Sequence, residues 1–174
     1  MTEIRTARLL LRRAVAADLA AIHAIMSSPD AMRYWSTLPH ETMAETEVWF
    51  QNQFFSDDPA RDEWVIEFEG RTVGNIGIWN MPELGFILHP DVWGRGIGYE
   101  ATSAYIQHMF ATQPIEAITA DVDPRNGASL RLLAKLGFIE TGRAENTFLI
   151  GGVWYHSIYL ALSRADWQSR KTRG

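Results

Sequence analysis

The stretch "PDVWGRGIGYEATSA", residues 90–104, places three glycines in five positions between a Pro-Asp turn and a segment with helical periodicity. An ordinary tight turn needs one or two glycines, whose freedom to adopt positive φ costs little. Three alternating glycines before a helix favour a second use, in which the loop N–H groups face an anion and the helix dipole strengthens the attraction. The stretch therefore predicts a phosphate-binding loop at the start of a helix.

A dinucleotide-binding loop is one alternative for this stretch. Gly96, Gly98 and Ala101 match the pattern G-x-G-x-x-[GA]. An aspartate, Asp121 or Asp123, closes the next predicted strand, as in that fold. However, five residues separate the preceding predicted strand from the first glycine, whereas the dinucleotide pattern begins directly at the strand end. No G-K-[ST] follows the glycines, which excludes a Walker loop.

The segments around the loop have the periodicities of helices and strands. We predict helices at residues 18–26, 42–55, 99–110 and 126–137. We predict strands at residues 8–15, 64–69, 72–79, 83–88 and 115–122, and a final hairpin at 138–163. Strand 83–88, the next helix and strand 115–122 form one βαβ unit in an otherwise antiparallel sheet. The predicted fold class is therefore α/β, with a mixed, mostly antiparallel sheet flanked by helices.

Composition narrows the classes of function. A length of 174 residues with 47% hydrophobic content predicts one domain, residues 1–174. The chain has no cysteine, and its five histidines have no metal-ligand spacing, so we expect no metal site. The net charge of −5 argues against a nucleic-acid-binding surface. Since no apolar run is long enough to span a bilayer, we expect a cytoplasmic protein without membrane contact.

Two motifs together resemble a known family. "VWGRGIGYEA" (92–101) is followed by "NGASLRLLAKLGF" (126–138), and the pair resembles the GCN5-related N-acetyltransferases (GNAT). The likeness is to the branch that includes the RimJ/RimL-type ribosomal-protein N-terminal acetyltransferases. Residues 5–22 and 151–167 also look like that branch. The resemblance implies acetyl transfer from acetyl-CoA to a primary amine by direct attack in a ternary complex, with a non-catalytic acyl-CoA-binding or regulatory module as the alternative.

The resemblance also implies which residues hold acetyl-CoA. The loop amides would wrap the pyrophosphate, and the strand before the loop would separate from its neighbour and bind the pantetheine arm through its backbone. Asn126 matches the asparagine that holds a pantetheine amide, and Trp93 replaces the usual Gln or Arg, as is frequent in the RimJ/RimL-like branch. We expect Arg95 to face the phosphates. The implied set is Phe86, Ile87, Leu88, Trp93, Gly94, Arg95, Gly96, Ile97, Gly98, Tyr99, Asn126 and Arg131.

Two residues are candidates for the chemistry. Glu83 resembles the strand glutamate that several family members use as general base, and strand alternation would point it into the cleft. The alternative interpretation is that Glu83 is a surface carboxylate on an edge strand with no catalytic role. Ser129 stands where RimL-type relatives place a serine near the CoA sulfur, although it is also a natural cap partner of Asn126. Many members have a tyrosine acid seven residues after the asparagine, but this chain has Leu133, which puts that mechanism in doubt.

The sequence says less about the acceptor amine than about the acetyl donor. Tyr34 and Trp35 lie in a loop-like segment between the first two helices, and we predict that they form walls of the substrate pocket, with core packing as the alternative. The resemblance implies a small-molecule amine or a protein N-terminus as the acceptor and does not choose between them. An α-amine, with a pKa of about 7.7–8.0, needs only a modest base or a water relay, whereas lysine, at about 10.4, needs a strong one. A homodimer is left open.

Overall fold

The computed structural model describes residues 3–171. The strands of this part of the chain are β1 (Glu3–Arg5), β2 (Leu9–Arg12), β3 (Asp62–Phe68), β4 (Arg71–Asn80), β5 (Glu83–Leu88), β6 (Ala117–Val122), β7 (Ile139–Ile150) and β8 (Val153–Ser163). Its helices are α1 (Leu19–Met26), α2 (Met43–Phe54), α3 (Ile97–Thr112), α4 (Gly127–Leu136) and α5 (Arg164–Lys171). Within residues 3–171, no helix is long and apolar enough to cross a bilayer.

The strands form one sheet with the order β1-β2-β3-β4-β5-β6-β8-β7. All neighbouring pairs are antiparallel except β5 and β6, which are parallel. The helix α3 connects these two strands, so the predicted βαβ unit and the mostly antiparallel sheet are confirmed. β5 pairs with β4 from end to end, but its register with β6 is a single pair, Glu83 with Thr119. The sheet therefore opens between β5 and β6.

The two faces of the sheet pack against different helices. On one face, residues of α3 and α4 bury a large core with alternate strand residues such as Ile76, Leu84 and Ile118. On the other face, residues of α1 and α2 pack in a smaller cluster that contains Val65 and Ile87. Since strand side chains alternate between faces, Glu83 and Gly85 share the face of Ile87. They lie beside α2, on the side where one of the cavities described below is found.

Several boundaries differ from the sequence-based prediction. The first long strand covers Leu9–Arg12 and not 8–15, because the chain turns into a short 3-10 helix at Ala16–Asp18. Helix α3 begins at Ile97, two residues before the predicted start, so the last loop glycine lies in its first turn. Neither β1 nor α5 was predicted: β1 is a three-residue edge strand, and α5 is eight residues long with a strongly polar composition. Such short polar elements have no clear hydrophobic period.

Candidate active site

A cleft of ≈ 460 Å³ lies at the glycine loop. It is bordered by the second half of β5, the loop itself, the first turns of α4 and the segment after α1. Eleven of the twelve predicted cofactor residues line it, together with Ser129. The missing residue is Arg95. Because β5 lacks a partner on its β6 side beyond Glu83, its backbone is exposed to this cleft.

The three glycines of the loop have two different roles. Gly94 and Gly96 have φ of 71° and 78°, a left-handed conformation that favours glycine. Gly98 is needed for packing, since a Cβ there would lie 3.0 Å from the Leu132 side chain and 3.2 Å from that of Leu88. Gly96 is the N-cap of α3, so the first N–H groups of the helix follow it directly and have no partner within the helix. An anion in the cleft can accept hydrogen bonds from them.

Arg95 and Trp93 both differ from a simple phosphate-binding arrangement. The Arg95 guanidinium lies 4.7 Å from the centre of the Phe68 ring and 3.6 Å from a carboxylate oxygen of Glu69. The structure therefore does not bring its side chain into the cleft, where we expected it to face the phosphates. The Trp93 indole does line the cleft, and its Nε1 donates a hydrogen bond to the carbonyl of Leu88 at 3.0 Å. This bond occupies one of the β5 carbonyls expected to hold pantetheine.

Basic side chains line the other side of the cleft. Arg131 and Lys135 project from α4, and Arg33 projects from the segment after α1. The Lys135 ammonium lies 5.0 Å from the centre of the Tyr99 ring. Although Arg33 is paired with Asp30 at 2.5 Å, the three cations outnumber that single carboxylate. The cleft therefore combines free amides with positive charge, as a polyanionic ligand requires.

The start of α4 shows how Asn126 and Ser129 are related. Asn126 Oδ1 accepts a hydrogen bond from the Ser129 backbone N–H at 3.2 Å and thereby caps the helix. The cap uses the acceptor oxygen, so the donor Nδ2 is the part of this side chain that can bind a ligand carbonyl. The position of the family's tyrosine, Leu133, is buried in the core at 1% exposure. No general acid reaches the cleft from that position.

A second pocket, of ≈ 290 Å³, adjoins the cleft. Tyr34 and Trp35 line both cavities and separate them. The remaining walls come from α2, from β3 to β6 and from the hairpin of β7 and β8, which contributes His156. The pocket contains four carboxylates, those of Glu63, Glu83, Asp121 and Asp123. With Arg61 as its one lining cation among the described residues, it is suited to a positively charged ligand.

Glu83 is half-buried in this second pocket. Its Oε1 accepts a hydrogen bond from Trp79 Nε1 at 3.0 Å. Burial raises the pKa of Glu83, the nearby Asp121 carboxylate raises it further, and the Trp79 bond opposes the shift. Because Glu83 pairs with Thr119, Asp121 follows two residues along β6 on the same face of the sheet. Two carboxylates therefore share the gap between β5 and β6.

The two aspartates of the pocket, Asp121 and Asp123, have contrasting environments. Burial raises the pKa of Asp121, as does the charge of Asp123, while the hydrogen bond from Ser157 Oγ at 2.9 Å lowers it. Burial also acts to raise the pKa of Asp123, but the Arg125 guanidinium, bonded at 2.9 and 2.6 Å, lowers it below its usual value. Asp123 is therefore held ionised, whereas Asp121 and Glu83 are better placed to accept a proton.

Sequence reasoning missed most of this pocket. Asp121 and Asp123 entered only as part of the dinucleotide alternative, although their alternation at the end of β6 puts both near the opening of the sheet. Glu63 and Asn75 lie inside apolar strands and gave no signal. Trp79 precedes Glu83 by four residues, and this spacing does not predict a contact, because the two side chains meet only through the β4–β5 turn.

Comparisons with known proteins agree with this architecture. A model of the acetyltransferase (GNAT) domain matches residues 8–139. "Uncharacterized N-acetyltransferase YnaD" of Bacillus subtilis (strain 168) is 24% identical over 170 residues, covering 94% of this chain and 98% of that protein. The [ribosomal protein uS5]-alanine N-acetyltransferase of Escherichia coli (strain K12) is 39% identical over 84 residues, or 48% of this chain and 43% of that enzyme. The first match extends over nearly the whole chain and the second over about half of it.

A solved structure extends the likeness to the fold. Spermidine N-acetyltransferase from Vibrio cholerae, in complex with CoA and spermine, matches with a TM-score of 0.82 at 21% identity. The match covers 94% of this chain and 99% of that one. The predicted mixed, mostly antiparallel sheet with flanking helices is therefore also the fold of a solved acetyltransferase.

Proposed function

The chain belongs to the GNAT acetyltransferase family, and we propose that it acetylates a primary amine, with acetyl-CoA as the donor, by direct attack in a ternary complex. One observation carries this proposal: the cleft at the glycine loop and the acidic pocket meet at Tyr34 and Trp35. The cleft has amides and cations for the phosphates of a donor. The pocket has carboxylates for an ammonium ion. Two adjoining cavities of opposite charge allow both substrates to be present together.

The residues of the cleft would hold acetyl-CoA in a defined direction. The amides at the start of α3 would bind the pyrophosphate, and the open edge of β5 would bind the pantetheine arm. Asn126 Nδ2 would donate to a pantetheine carbonyl, and Arg131 would lie near the phosphates. When bound, acetyl-CoA supplies the thioester carbonyl that the amine attacks. Ser129, in the wall of the cleft, would donate a hydrogen bond to the sulfur as the carbon–sulfur bond breaks.

An amine attacks only after losing its proton, so the acceptor pocket has to supply a base. Glu83 is the proposed base because it lies in this pocket and burial raises its pKa toward that of an amine. Asp121, whose pKa is also raised, lies in the same pocket as a second proton acceptor. Asp123 is held ionised by its ion pair with Arg125, which also offsets its charge. Glu83 and Asp121 would therefore be the carboxylates that attract the ammonium form.

The acceptor that we propose is a protein N-terminal α-amine or a small-molecule amine. The E. coli relative is named for an alanine of a ribosomal protein and the V. cholerae structure for spermidine. The similarity to the first of these over 48% of the chain supports placing this protein in the RimJ/RimL-like branch. The acidic lining of the pocket supports a cationic acceptor in either case.

The proposal is tested by measuring thiol release from acetyl-CoA in the presence of a panel of amines. The panel includes alkylamines, alkanediamines and short peptides with free N-termini. We expect saturable thiol release with at least one class and the matching N-acetyl product by mass spectrometry. Thiol release that does not depend on any amine would contradict the proposal.

A non-catalytic acyl-CoA-binding module is the second candidate. It is favoured by the burial of Leu133 where the family's tyrosine acid usually stands. Calorimetry separates the two candidates when it is combined with the thiol assay. Saturable acetyl-CoA binding without turnover of any amine would support the module, whereas turnover would exclude it.

A further inference from the structure

The inner end of the acceptor pocket contains a buried carboxylate on a floor of glycines. Glu63 on β3 pairs with Gly77 on β4, which pairs with Gly85 on β5. A Cβ on Gly77 would lie 2.4 Å from Glu63 Oε2, so the carboxylate rests directly on the backbone of that glycine. A Cβ on Gly85 would meet no atom within 4 Å. Where Glu63, Gly77 and Gly85 lie side by side, neither β4 nor β5 places a side chain on this face. The pocket can therefore extend across the sheet from Glu83 to Glu63.

Two acceptor atoms at this inner end lack partners. Glu63 Oε1 accepts a hydrogen bond from Gln53 Nε2 at 2.5 Å. In the described part of the chain, Glu63 Oε2 and Asn75 Oδ1 are buried without any hydrogen-bond partner. The two residues are only 6% and 2% exposed, and both line the pocket. When Glu63 is ionised, these two buried acceptors lack donors, which costs free energy that a ligand with N–H donors would recover.

The charge state of Glu63 depends on what occupies the pocket. Burial raises the pKa of Glu63 to about 8, and the adjacent Asp62 carboxylate acts in the same direction. The hydrogen bond from the Gln53 amide and the charge of Arg61 act to lower it. Glu63 is therefore mostly protonated near neutral pH when no cation contacts it. A cation in contact with Oε2 would stabilise the carboxylate and displace that proton.

We propose that Glu63 and Asn75 form a buried subsite that binds the second, non-reacting ammonium group of the acceptor, so that the preferred acceptors are aliphatic diamines. This inference rests on the proposed function. An ammonium group carries three donors and no acceptor, which matches the two unpaired oxygens at this site. The reacting amine would lie near Glu83 and Asp121, where the sheet opens toward the cleft. Glu63 and Glu83 are separated by two strand spacings across the sheet and by two residues along β5. Their Cα atoms are therefore roughly 12 Å apart, which leaves room for an alkyl chain between the two nitrogens.

The test compares α,ω-alkanediamines with n-alkylamines of equal length as acceptors. For the native protein we expect higher kcat/KM for diamines, with an optimum chain length. Glu63→Gln keeps the shape and removes the charge, so it should lower kcat/KM for diamines roughly 10- to 100-fold and leave alkylamines within about twofold. Glu47→Gln, the same change at an exposed position of α2, serves as the matched control and should alter neither. An equal ratio of diamine to alkylamine activity in the native protein and in Glu63→Gln would overturn the subsite.

Calorimetry without an acetyl donor tests the same site independently of turnover. Titration of a diamine at pH 7 in two buffers of different ionisation enthalpy should show release of nearly one proton per diamine bound. The alkylamine and the Glu63→Gln variant should show none. If alkylamines are acetylated but diamine binding releases no proton and brings no preference, the subsite is wrong while the transferase function stands. If diamines bind with proton release but no amine is acetylated, the subsite stands and the proposed function is wrong.

Discussion

The cleft at the glycine loop, which is the proposed donor cleft, and the acidic pocket, which is the proposed acceptor pocket, are neighbours with different construction. Most residues that line the cleft come from two contiguous stretches, β5 with the glycine loop and the start of α4, and its charged side chains are mostly basic. The pocket is made of side chains from α2, four strands and the final hairpin, and its charged side chains are mostly acidic. A site formed by contiguous motifs can be predicted from local sequence. A site formed by side chains of several strands depends on how those strands pair. The difference leads us to expect that the donor is bound as in relatives while the acceptor is particular to this chain.

The largest expected effect comes from breaking the donor cleft alone. Gly96→Glu puts a side chain at φ 78° and a carboxylate where phosphates would bind, so saturable acetyl-CoA binding by calorimetry should disappear. Gly70→Glu is the matched control, because Gly70 has φ 73° with open space around its Cα but lies in the β3–β4 turn. It should keep the acetyl-CoA affinity. Equal loss in both variants would show that strain, and not the anion site, is responsible.

The next effect separates the chemistry from donor binding. Glu83→Gln should lower kcat by roughly 10²- to 10⁴-fold and leave the Kd for acetyl-CoA unchanged, because Glu83 lies in the acceptor pocket. The base works only when ionised, so the rate should fall as pH drops through its pKa. Since that pKa is raised, the fall should occur at higher pH than for an ordinary glutamate. Full activity of Glu83→Gln across the pH range would move the role of base to Asp121.

A smaller effect concerns the stability of the acceptor pocket. The folded-state pKa of Glu63, about 8, lies above its ordinary value of 4.5, so its contribution to stability is present below that ordinary value and is lost as pH rises through 8. The native protein should lose roughly 2–4 kcal/mol of unfolding free energy across this range relative to Glu63→Gln. Denaturant titrations at several pH values measure the difference. Parallel pH profiles for the two proteins would contradict the buried, protonated state.

The smallest expected effect shows which arginine side chain belongs to the donor cleft. Arg131 lines the cleft, whereas Arg95 packs on Phe68 outside it. Arg131→Ala should therefore weaken acetyl-CoA binding by about 2- to 10-fold, and Arg95→Ala should change it by less than twofold. Both substitutions remove one positive charge, so their long-range electrostatic effects match. A larger loss for Arg95→Ala would mean that its side chain turns into the cleft when the donor binds.

Much of the donor cleft was predictable because its motifs act locally. Glycines at the start of a helix and a capping asparagine define backbone geometry wherever they occur, so the residues around Gly96 and Asn126 were expected at the site. The direction of the Arg95 side chain was not predictable, because it depends on the left-handed turns at Gly94 and Gly96 and on a contact with β3.

The acceptor pocket was mostly unpredictable for a physical reason. Glu63 enters the pocket only because β3 pairs in a register that sets it over Gly77, and no local pattern encodes that register. Asp121 becomes a partner of Glu83 only through the parallel pairing of β5 with β6. Tyr34 and Trp35, which loop-like sequence marked as candidate walls, do line the pocket, but their place between two cavities required the whole fold.

The central claim is that donor and acceptor occupy adjoining sites at the same time. Initial-velocity kinetics test it most directly, with acetyl-CoA and an accepted amine varied together and thiol release as the readout. Direct attack in a ternary complex predicts intersecting double-reciprocal lines and one N-acetyl product per thiol released. Parallel lines, which indicate that the first product leaves before the second substrate binds, would contradict the claim, as would thiol release without an N-acetyl product.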